Sequence, residues 1–549
     1  MAQIVGSGAR VAGRRAERLV LRLLGVTRAR PDYTISPVRV PMRDGVELAA
    51  DLYRPSTEPL GTLLVRGPYG RSLPFSLLMA RIFAARGYRV LFVSSRGTFG
   101  SGGEFDPMRD EAADGQDVVA WMREQPWFSG TFGTLGGSYL GHTQWALLAD
   151  PPPELAAAVI SVGPHDFSRH AWGTGAFNLD LLEWSDGIAH QEEARGLRAA
   201  VHRARSRGRL RPVLDALPLA DAAEAHFAGG APWYRHRVTR PDLTDPYWKP
   251  MQHAAALERT SVPVLLISGW QDLFLDQTVE QYTRLHERGV DVALTIGPWT
   301  HIQVMSKGAR TTTAQTLDWL DEHIAGRGGR RRPAPVRIHV TGAGQWRDLP
   351  AWPPPGTAQT LHLHHGGDLL ASAPAGDAAS TFTFDPADPT PTFGGPILAG
   401  GGMVDDGRLA ARPDVLAFTS DPLEHDLEVL GGPEVELAHS TDNPHADLFV
   451  RLSEVDAKGR SRNVTEAYQR LAPDREPGPV RLALRHTAHR FRAGHRLRLL
   501  VAGGSHPQFA RNLGTGENPG TGSTLKPATH TIRHGDGEPS RLVLPVAGN

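Results

Sequence analysis

The sequence predicts an α/β domain built on a mostly parallel sheet, interrupted by a helical insertion and followed by an all-β domain. Three observations carry that reading. Strand-like and helix-like segments alternate through residue 163, the pattern of a parallel sheet covered on both faces. The alternation then stops for residues 166–249, which are rich in Ala, Leu, Arg, His and Trp at helical spacing. Beyond residue 333 only short runs of alternating polarity remain, separated by Gly, Pro, Asn and Asp, as in an antiparallel sandwich or jelly roll.

The elements follow in order. Residues 36–53 alternate around Asp44-Gly45, a hairpin signal. A compact apolar run at 62–65 ends in Arg66-Gly67-Pro68-Tyr69-Gly70, and a helical stretch covers 76–86. A buried strand at 88–93 runs into a glycine-rich turn, 96–103, and a helix with an acidic start covers 110–124. A short strand leads into Ser138, a helix leaves it over 141–149, and a further buried strand spans 157–162. Strand signals return at 262–268 and 292–296, and a helix over 312–325 closes the unit. These readings give an α/β domain of residues 36–165 and 250–332, a helical cap of 166–249 and a β domain of 333–549. The composition of Gly326–Pro333 marks a linker. In the β domain, strands are expected at 336–340, 359–364, 380–384, 415–419, 434–438, 446–452, 480–484 and 497–501.

Composition narrows the function classes. The chain has 549 residues, enough for two or three domains, and 59 basic residues balance 59 acidic ones. A net charge of zero supplies no global field toward nucleic acid or an anionic membrane, so no nucleic-acid partner is expected. There is no cysteine, which excludes disulfides, thiolate catalysis and Cys-based zinc sites. Residues 1–35 read as a basic amphipathic helix over Ala9–Arg30, with Arg22 breaking its apolar run. That run is too short and too charged for a secretory signal, and no stretch approaches the roughly 18 apolar residues of a membrane span. A cytoplasmic location is therefore expected, and a homodimer is compatible with the sequence.

The chemistry concentrates on Gly136-Gly137-Ser138-Tyr139-Leu140-Gly141. Ser138 stands where a strand should end and a helix begin, the setting in which a tight turn lifts a serine hydroxyl out of a sheet. The match to G-x-S-x-G is imperfect, because Leu140 holds the last glycine position and Gly141 follows it. A serine hydroxyl needs a positioned histidine to act as a nucleophile, and the histidine needs an acid to fix its tautomer. Asp272 and His301 follow the strands at 262–268 and 292–296, in the expected order of serine, acid and histidine. Asp276 is the alternative acid. The loop at 97–103 lacks the Gly-Lys-Ser/Thr ending of a phosphate-binding loop, and His362, His364 and His365 have no acidic companion. No cofactor and no metal are expected.

With these residues in place the chain resembles the CocE/NonD family of α/β hydrolases, which groups cocaine-esterase-like enzymes with X-Pro dipeptidyl-peptidases (S15). The resemblance rests on Arg66-Gly67-Pro68-Tyr69, the stretch Ser95–Phe105, Trp121–Trp127, Gly136–Gly141, Gly269-Trp270-Gln271-Asp272, Gly297–His301 and Arg412–Leu423. It spans about residue 36 to the C-terminus in matching order. The family's elbow reads G-x-S-Y-x-G, which accounts for the displaced glycine. The resemblance implies an α/β-hydrolase core with a helical cap and a C-terminal jelly roll. It also implies a triad of Ser138, Asp272 and His301, with an oxyanion hole from the Tyr69 hydroxyl and the Tyr139 N–H. Trp172 and Phe274 would line the acyl pocket, with Trp184 nearby.

Members of this family that act on α-amino-acid esters hold the substrate ammonium with acids just after the triad aspartate. Here that segment is Leu273-Phe274-Leu275, which is apolar. The expected substrate is therefore a small-molecule carboxylic ester, cleaved through an acyl-enzyme. The alternative is an X-Pro dipeptidyl-peptidase or amide acylase with the same triad, which needs a cap acid such as Glu183, Asp186 or Glu192. A third reading, a β domain that binds carbohydrate or protein beside a relic hydrolase, is disfavoured because every triad position is filled.

Overall fold

The computed structural model describes residues 17–26, 29, 32–192, 208–327, 332–476, 478–535 and 540–548. The chain divides into two compact units. One comprises residues 1–167, 247–268 and 277–336, the other 168–246, 269–276 and 337–549.

The first unit is built on strands β1 (Tyr33–Pro41), β2 (Glu47–Pro55), β3 (Thr62–Gly67), β4 (Arg89–Ser94), β5 (Phe132–Gly137), β6 (Leu155–Ser161), β7 (Val264–Gln271, as far as Ser268) and β8 (Val292–Thr300), in the spatial order β1-β2-β4-β3-β5-β6-β7-β8. The β1–β2 hairpin is antiparallel, and β2 joins β4 antiparallel. From there β4, β3, β5, β6 and β7 are parallel neighbours. Strands β3 and β5 are buried along their whole length, which explains the apolar run Leu63–Val65 and the glycine-rich sequence of β5. The hairpin turn closes at Gly45, whose φ of 84° suits glycine.

The helix Glu111–Arg123 carries three buried acids, Glu111, Asp114 and Asp117, in its first two turns. Each is held by an arginine from a different segment: Arg66 at the end of β3, Arg96 after β4 and Arg43 in the β1–β2 turn. The positive end of the helix dipole also favours Glu111 and Asp114, which lie in the first turn. The acidic start seen in the sequence is therefore a buried set of ion pairs and not a solvated face.

Residues 17–23 are helical. Leu21 is buried, whereas Leu19 and Leu23 are 59% and 67% exposed. The remainder of the expected Ala9–Arg30 helix lies largely outside the described residues. No helix among the described residues is long and apolar enough to cross a membrane.

The second unit combines the helices Phe167–Trp172 (from Ser168), Asp180–Ala189, Leu219–Phe227 and Trp233–Val238 with the C-terminal strands. The strands form several antiparallel sheets, one ordered Val415–Thr419, Arg496–Ala502, Asp447–Val455 and Ser461–Arg470. Leu448, Val450, Leu499, Val501 and Leu542 are among the fully buried residues of its core. The sequence groups residues 166–249 with the α/β domain, but their main chain bonds to the β region. The N–H of Leu179 donates to the Gln508 carbonyl, Ala510 to Phe177, Arg470 to Thr174, and Leu219 to Pro519.

Some strands escape the sequence pattern because their inward positions are polar. In Ser461–Arg470 the buried side chains include Asn463, Thr465 and Glu466, the last paired with the fully buried Arg451 at 2.6 Å. In Ala528–Gly535 the inward residues are His530, Ile532 and His534. Neither strand shows apolar alternation, so neither was expected.

Several histidines are buried in the neutral form. The His253 ring lies 4.9 Å from that of His142, and burial pushes its pKa down to about 2. His439 Nε2 and His530 Nδ1 are 3.0 Å apart, a bond that requires one nitrogen to accept, and burial lowers their pKa values to about 3 and about 4. Each folded value lies below the unfolded one, near 6.5, so the unfolded chain binds more protons and stability falls as pH drops below 6.5. Between pH 7 and pH 5, His253 alone removes about 2 kcal/mol. Denaturant unfolding at both pH values should show this loss reduced by a similar amount in His253→Gln.

Candidate active site

Ser138 joins β5 to the helix Tyr139–Leu148 with φ 60° and ψ −122°. A non-glycine residue in that region costs about 1–3 kcal/mol and persists only where its surroundings hold it. Here they do. The Ser138 N–H donates to the Ser161 carbonyl at 2.9 Å, and the Ser138 carbonyl accepts from Gly141 N–H at 2.8 Å and His142 N–H at 3.1 Å. Gln144, buried on the same helix, donates to the carbonyls of Leu140 and Val159 at 3.0 and 3.1 Å.

The displaced glycine has a steric cause. A Cβ on Gly141 would stand 2.6 Å from Gly163 Cα, so the helix after Ser138 touches the turn after β6 backbone to backbone. Leu140, at the position the common motif gives to glycine, fits because two other positions are bare. A Cβ on Gly67 would lie 2.3 Å from its Cδ1, and one on Gly136 would lie 2.4 Å from its Cβ.

His301 is the first residue after β8 and is buried. Its main chain opens a short helix, His301–Val304, through a reciprocal cap between Thr300 and Gln303. Its Nε2 lies 2.9 Å from Ser138 Oγ. When Nε2 accepts the hydroxyl proton, Nδ1 carries the other proton and requires an acceptor.

Asp272 is the first residue after β7 and is completely buried. Its Oδ2 accepts the Phe274 N–H at 3.2 Å. The alternative acid, Asp276, is 55% exposed and ion-paired with Arg485 at 3.0 Å. Strands β7 and β8 both run several residues beyond the expected 268 and 296, so acid and histidine sit at strand ends and not in loops.

Tyr69 follows β3 by two residues, and its ring packs edge-on against Phe75 and Tyr139 at 5.4 and 6.2 Å. Tyr139, first in its helix, has no carbonyl four residues back within that helix for its N–H. Its hydroxyl accepts the Met108 N–H at 2.7 Å. In the second unit, Trp172 is buried and donates its indole N–H to the Arg237 carbonyl at 2.8 Å, while Phe274 packs on His170 at 4.7 Å. Trp184 is half-buried in Asp180–Ala189. Residues that sequence reasoning passed over include Glu111 and Gly163. For Glu111 the available signal was Gly115, a glycine four residues further on inside a helix.

Among parallel α/β sheets this strained strand-to-helix turn marks the α/β hydrolases, and a hydroxyl bonded to an imidazole makes this chain a serine hydrolase. The family model for X-Pro dipeptidyl-peptidase (S15 family) matches residues 44–303, and that for the X-Pro dipeptidyl-peptidase C-terminal non-catalytic domain matches 329–543. Cocaine esterase of Rhodococcus sp. (strain MB1 Bresler) is 30% identical over 93% of this chain and 98% of its own. The chain belongs to the CocE/NonD family of α/β hydrolases, which joins cocaine-esterase-like and X-Pro dipeptidyl-peptidase (S15) enzymes. An α-amino acid ester hydrolase structure is 26% identical, with a TM-score of 0.80 over 94% of this chain and 97% of that one. A CocE/NonD family hydrolase from Staphylococcus aureus shares the fold at 18% identity, with a TM-score of 0.70 over 94% of both chains.

The Gly141–Gly163 contact yields a direct test. Gly141→Ala places a methyl against main chain that has no side chain to rotate away. The expected loss is about 1–3 kcal/mol of stability by denaturant unfolding, with reduced hydrolytic activity. Leu148→Met, in the last turn of the same helix, should cost less than about 1.5 kcal/mol.

Proposed function

We propose that this serine hydrolase cleaves small-molecule carboxylic esters through an acyl-enzyme, with Ser138 as nucleophile, His301 as general base and Asp272 as the acid that orients it. The observation that carries the proposal is the 2.9 Å contact between Ser138 Oγ and His301 Nε2 on the strained turn. Ser138 Oγ attacks the ester carbonyl as Nε2 takes its proton. The carbonyl oxygen becomes an oxyanion, received by the Tyr69 hydroxyl and the Tyr139 N–H. Collapse expels the alcohol, which leaves with the proton from His301. Water, activated by the same imidazole, then attacks the acyl-enzyme, and the acid and free Ser138 result. The carboxylate of Asp272 offers Nδ1–H an acceptor and stabilises the imidazolium.

The choice of ester over amide rests on the apolar segment after Asp272 and on two acids, Asp186 and Asp276, that are already paired. Asp186 is buried and engaged by Arg209 and His226 at 2.7 and 2.9 Å, which hold its carboxyl below the usual range despite burial. Asp276 is paired with Arg485. Neither suits a substrate ammonium, and the segment after Asp272 is apolar. Trp172, Trp184 and Phe274 are the residues proposed to receive the acyl group. The relatives' names support ester chemistry: one is a cocaine esterase, another an α-amino acid ester hydrolase. The family model's description favours a second reading, X-Pro dipeptidyl-peptidase activity on the same triad.

A fluorophosphonate probe should label the wild type and not Ser138→Ala. Equal labelling would overturn the assignment of the nucleophile. Parallel assays on a p-nitrophenyl ester and an Ala-Pro anilide should show much faster ester turnover, and the reverse would favour the peptidase reading. Tyr69→Phe should fold normally and lose roughly 10²–10³-fold in kcat. Near-normal kcat would remove its hydroxyl from the reaction.

A further inference from the structure

Glu111 is a buried carboxylate that the reaction does not use directly. It lies at the start of the helix Glu111–Arg123 and is 5% exposed. Three groups converge on it. Arg66 donates to Oε2 at 2.7 Å and to the Glu111 carbonyl at 2.8 Å. Ser95 Oγ donates to Oε1 at 2.8 Å. The Tyr139 hydroxyl, which accepts the Met108 N–H at 2.7 Å, also favours the charged form of the carboxylate.

These partners are informative by position. Arg66 lies in β3, three residues before Tyr69. Ser95 is the first residue after β4. Tyr139 is the residue after Ser138. One carboxylate thus ties together the two segments that carry the proposed oxyanion donors and the strand end beside them. The helix is shaped for the cluster, since a Cβ on Gly115 would stand 2.3 Å from Arg66 Nη1. Glycine in a helix interior is less favourable than alanine, and here it seats a guanidinium. Burial raises the Glu111 pKa, opposed by Arg66 and the Ser95 hydroxyl, so the carboxylate is held where it is costly to keep.

We propose that Glu111 is the positioning residue of the oxyanion hole, fixing Tyr69 through Arg66 and Tyr139 through its hydroxyl. The inference rests on the ester-hydrolase reading above. It requires that loosening this cluster slow the chemical step without weakening substrate binding, since donors displaced by a fraction of an ångström fail the oxyanion first.

The test uses the full chain. Wild type, Glu111→Gln, Tyr139→Phe and Asp117→Asn are compared by thermal melting, by kcat and KM on a p-nitrophenyl ester, and by fluorophosphonate labelling rate. Asp117→Asn removes another buried acid–arginine pair from the same helix, the one to Arg43, and serves as the structural control. Glu111→Gln should lose about 10- to 100-fold in kcat with KM within about twofold, and label correspondingly slowly. Tyr139→Phe leaves the Arg66–Glu111 pair intact and should lose less, again in kcat alone. Asp117→Asn should lower the melting temperature with kcat unchanged. If Glu111→Gln fails to fold, Tyr139→Phe carries the test. Wild-type kcat and labelling rate in folded Glu111→Gln, or in Tyr139→Phe should the former not fold, would overturn the inference. So would equal kcat losses in Glu111→Gln and Asp117→Asn. Failure of the wild type to label would instead overturn the ester-hydrolase reading itself.

Discussion

The positive φ of Ser138 is the constraint around which the first unit is organised. An L-residue does not remain there by local preference, so the neighbouring structure must make every alternative worse. The Ser161 carbonyl fixes the Ser138 N–H, the following helix consumes the Ser138 carbonyl, and glycines at 67, 136, 141 and 163 remove the atoms that would hold the strands and helix apart. The strain is maintained by packing that extends from β3 across β5 to the turn after β6. A hydroxyl presented this way meets an imidazole at hydrogen-bond distance without a loop having to move.

Electrostatics distributes the same task over a wider region. The chain is neutral overall, yet its charges are far from evenly solvated. Arg43, Arg66 and Arg96 are directed at one helix, whose buried acids receive them. Such pairs contribute little net stability against a well-packed apolar alternative, because desolvation offsets most of the attraction. Their value is geometric, since a guanidinium fork admits few orientations. Segments from the β1–β2 turn, the end of β3 and the loop after β4 are thereby held to a common helix, and one of them, β3, pairs with the strand that leads into Ser138.

How far this was legible in the sequence depends on what each residue does. The parallel strands were readable because burial on both faces demands apolar runs, and the approach of Ser138 to His301 was readable because chain order and strand ends constrain both. Strand lengths at β7 and β8 were not, since Gly269 and the Gly297-Pro298 pair imitate termination in strands that continue. Strands with polar inward faces, such as Ser461–Arg470 and Ala528–Gly535, were silent because their burial is satisfied by ion pairs and histidines. The insertion's allegiance to the β region was equally hidden. It is made by main-chain hydrogen bonds such as those of Leu179 and Ala510, which leave no mark on side-chain pattern.

The glycine that first weakened the elbow motif is best understood as one half of a contact. In G-x-S-x-G the glycine two residues after the serine gives the backbone room to pass. Here that room is needed one residue later, where Gly141 meets Gly163, and the vacated position carries Leu140. Leucine there adds apolar packing, but only because Gly67 and Gly136 have no side chains to oppose it. A substitution at one of these positions is therefore not independent of the others: an alanine at 67 conflicts with Leu140, and a smaller residue at 140 would relieve that conflict while leaving a void beside the nucleophile. The motif is a set of coupled volumes distributed over three chain segments, and a one-dimensional pattern records only the part of it that falls next to the serine.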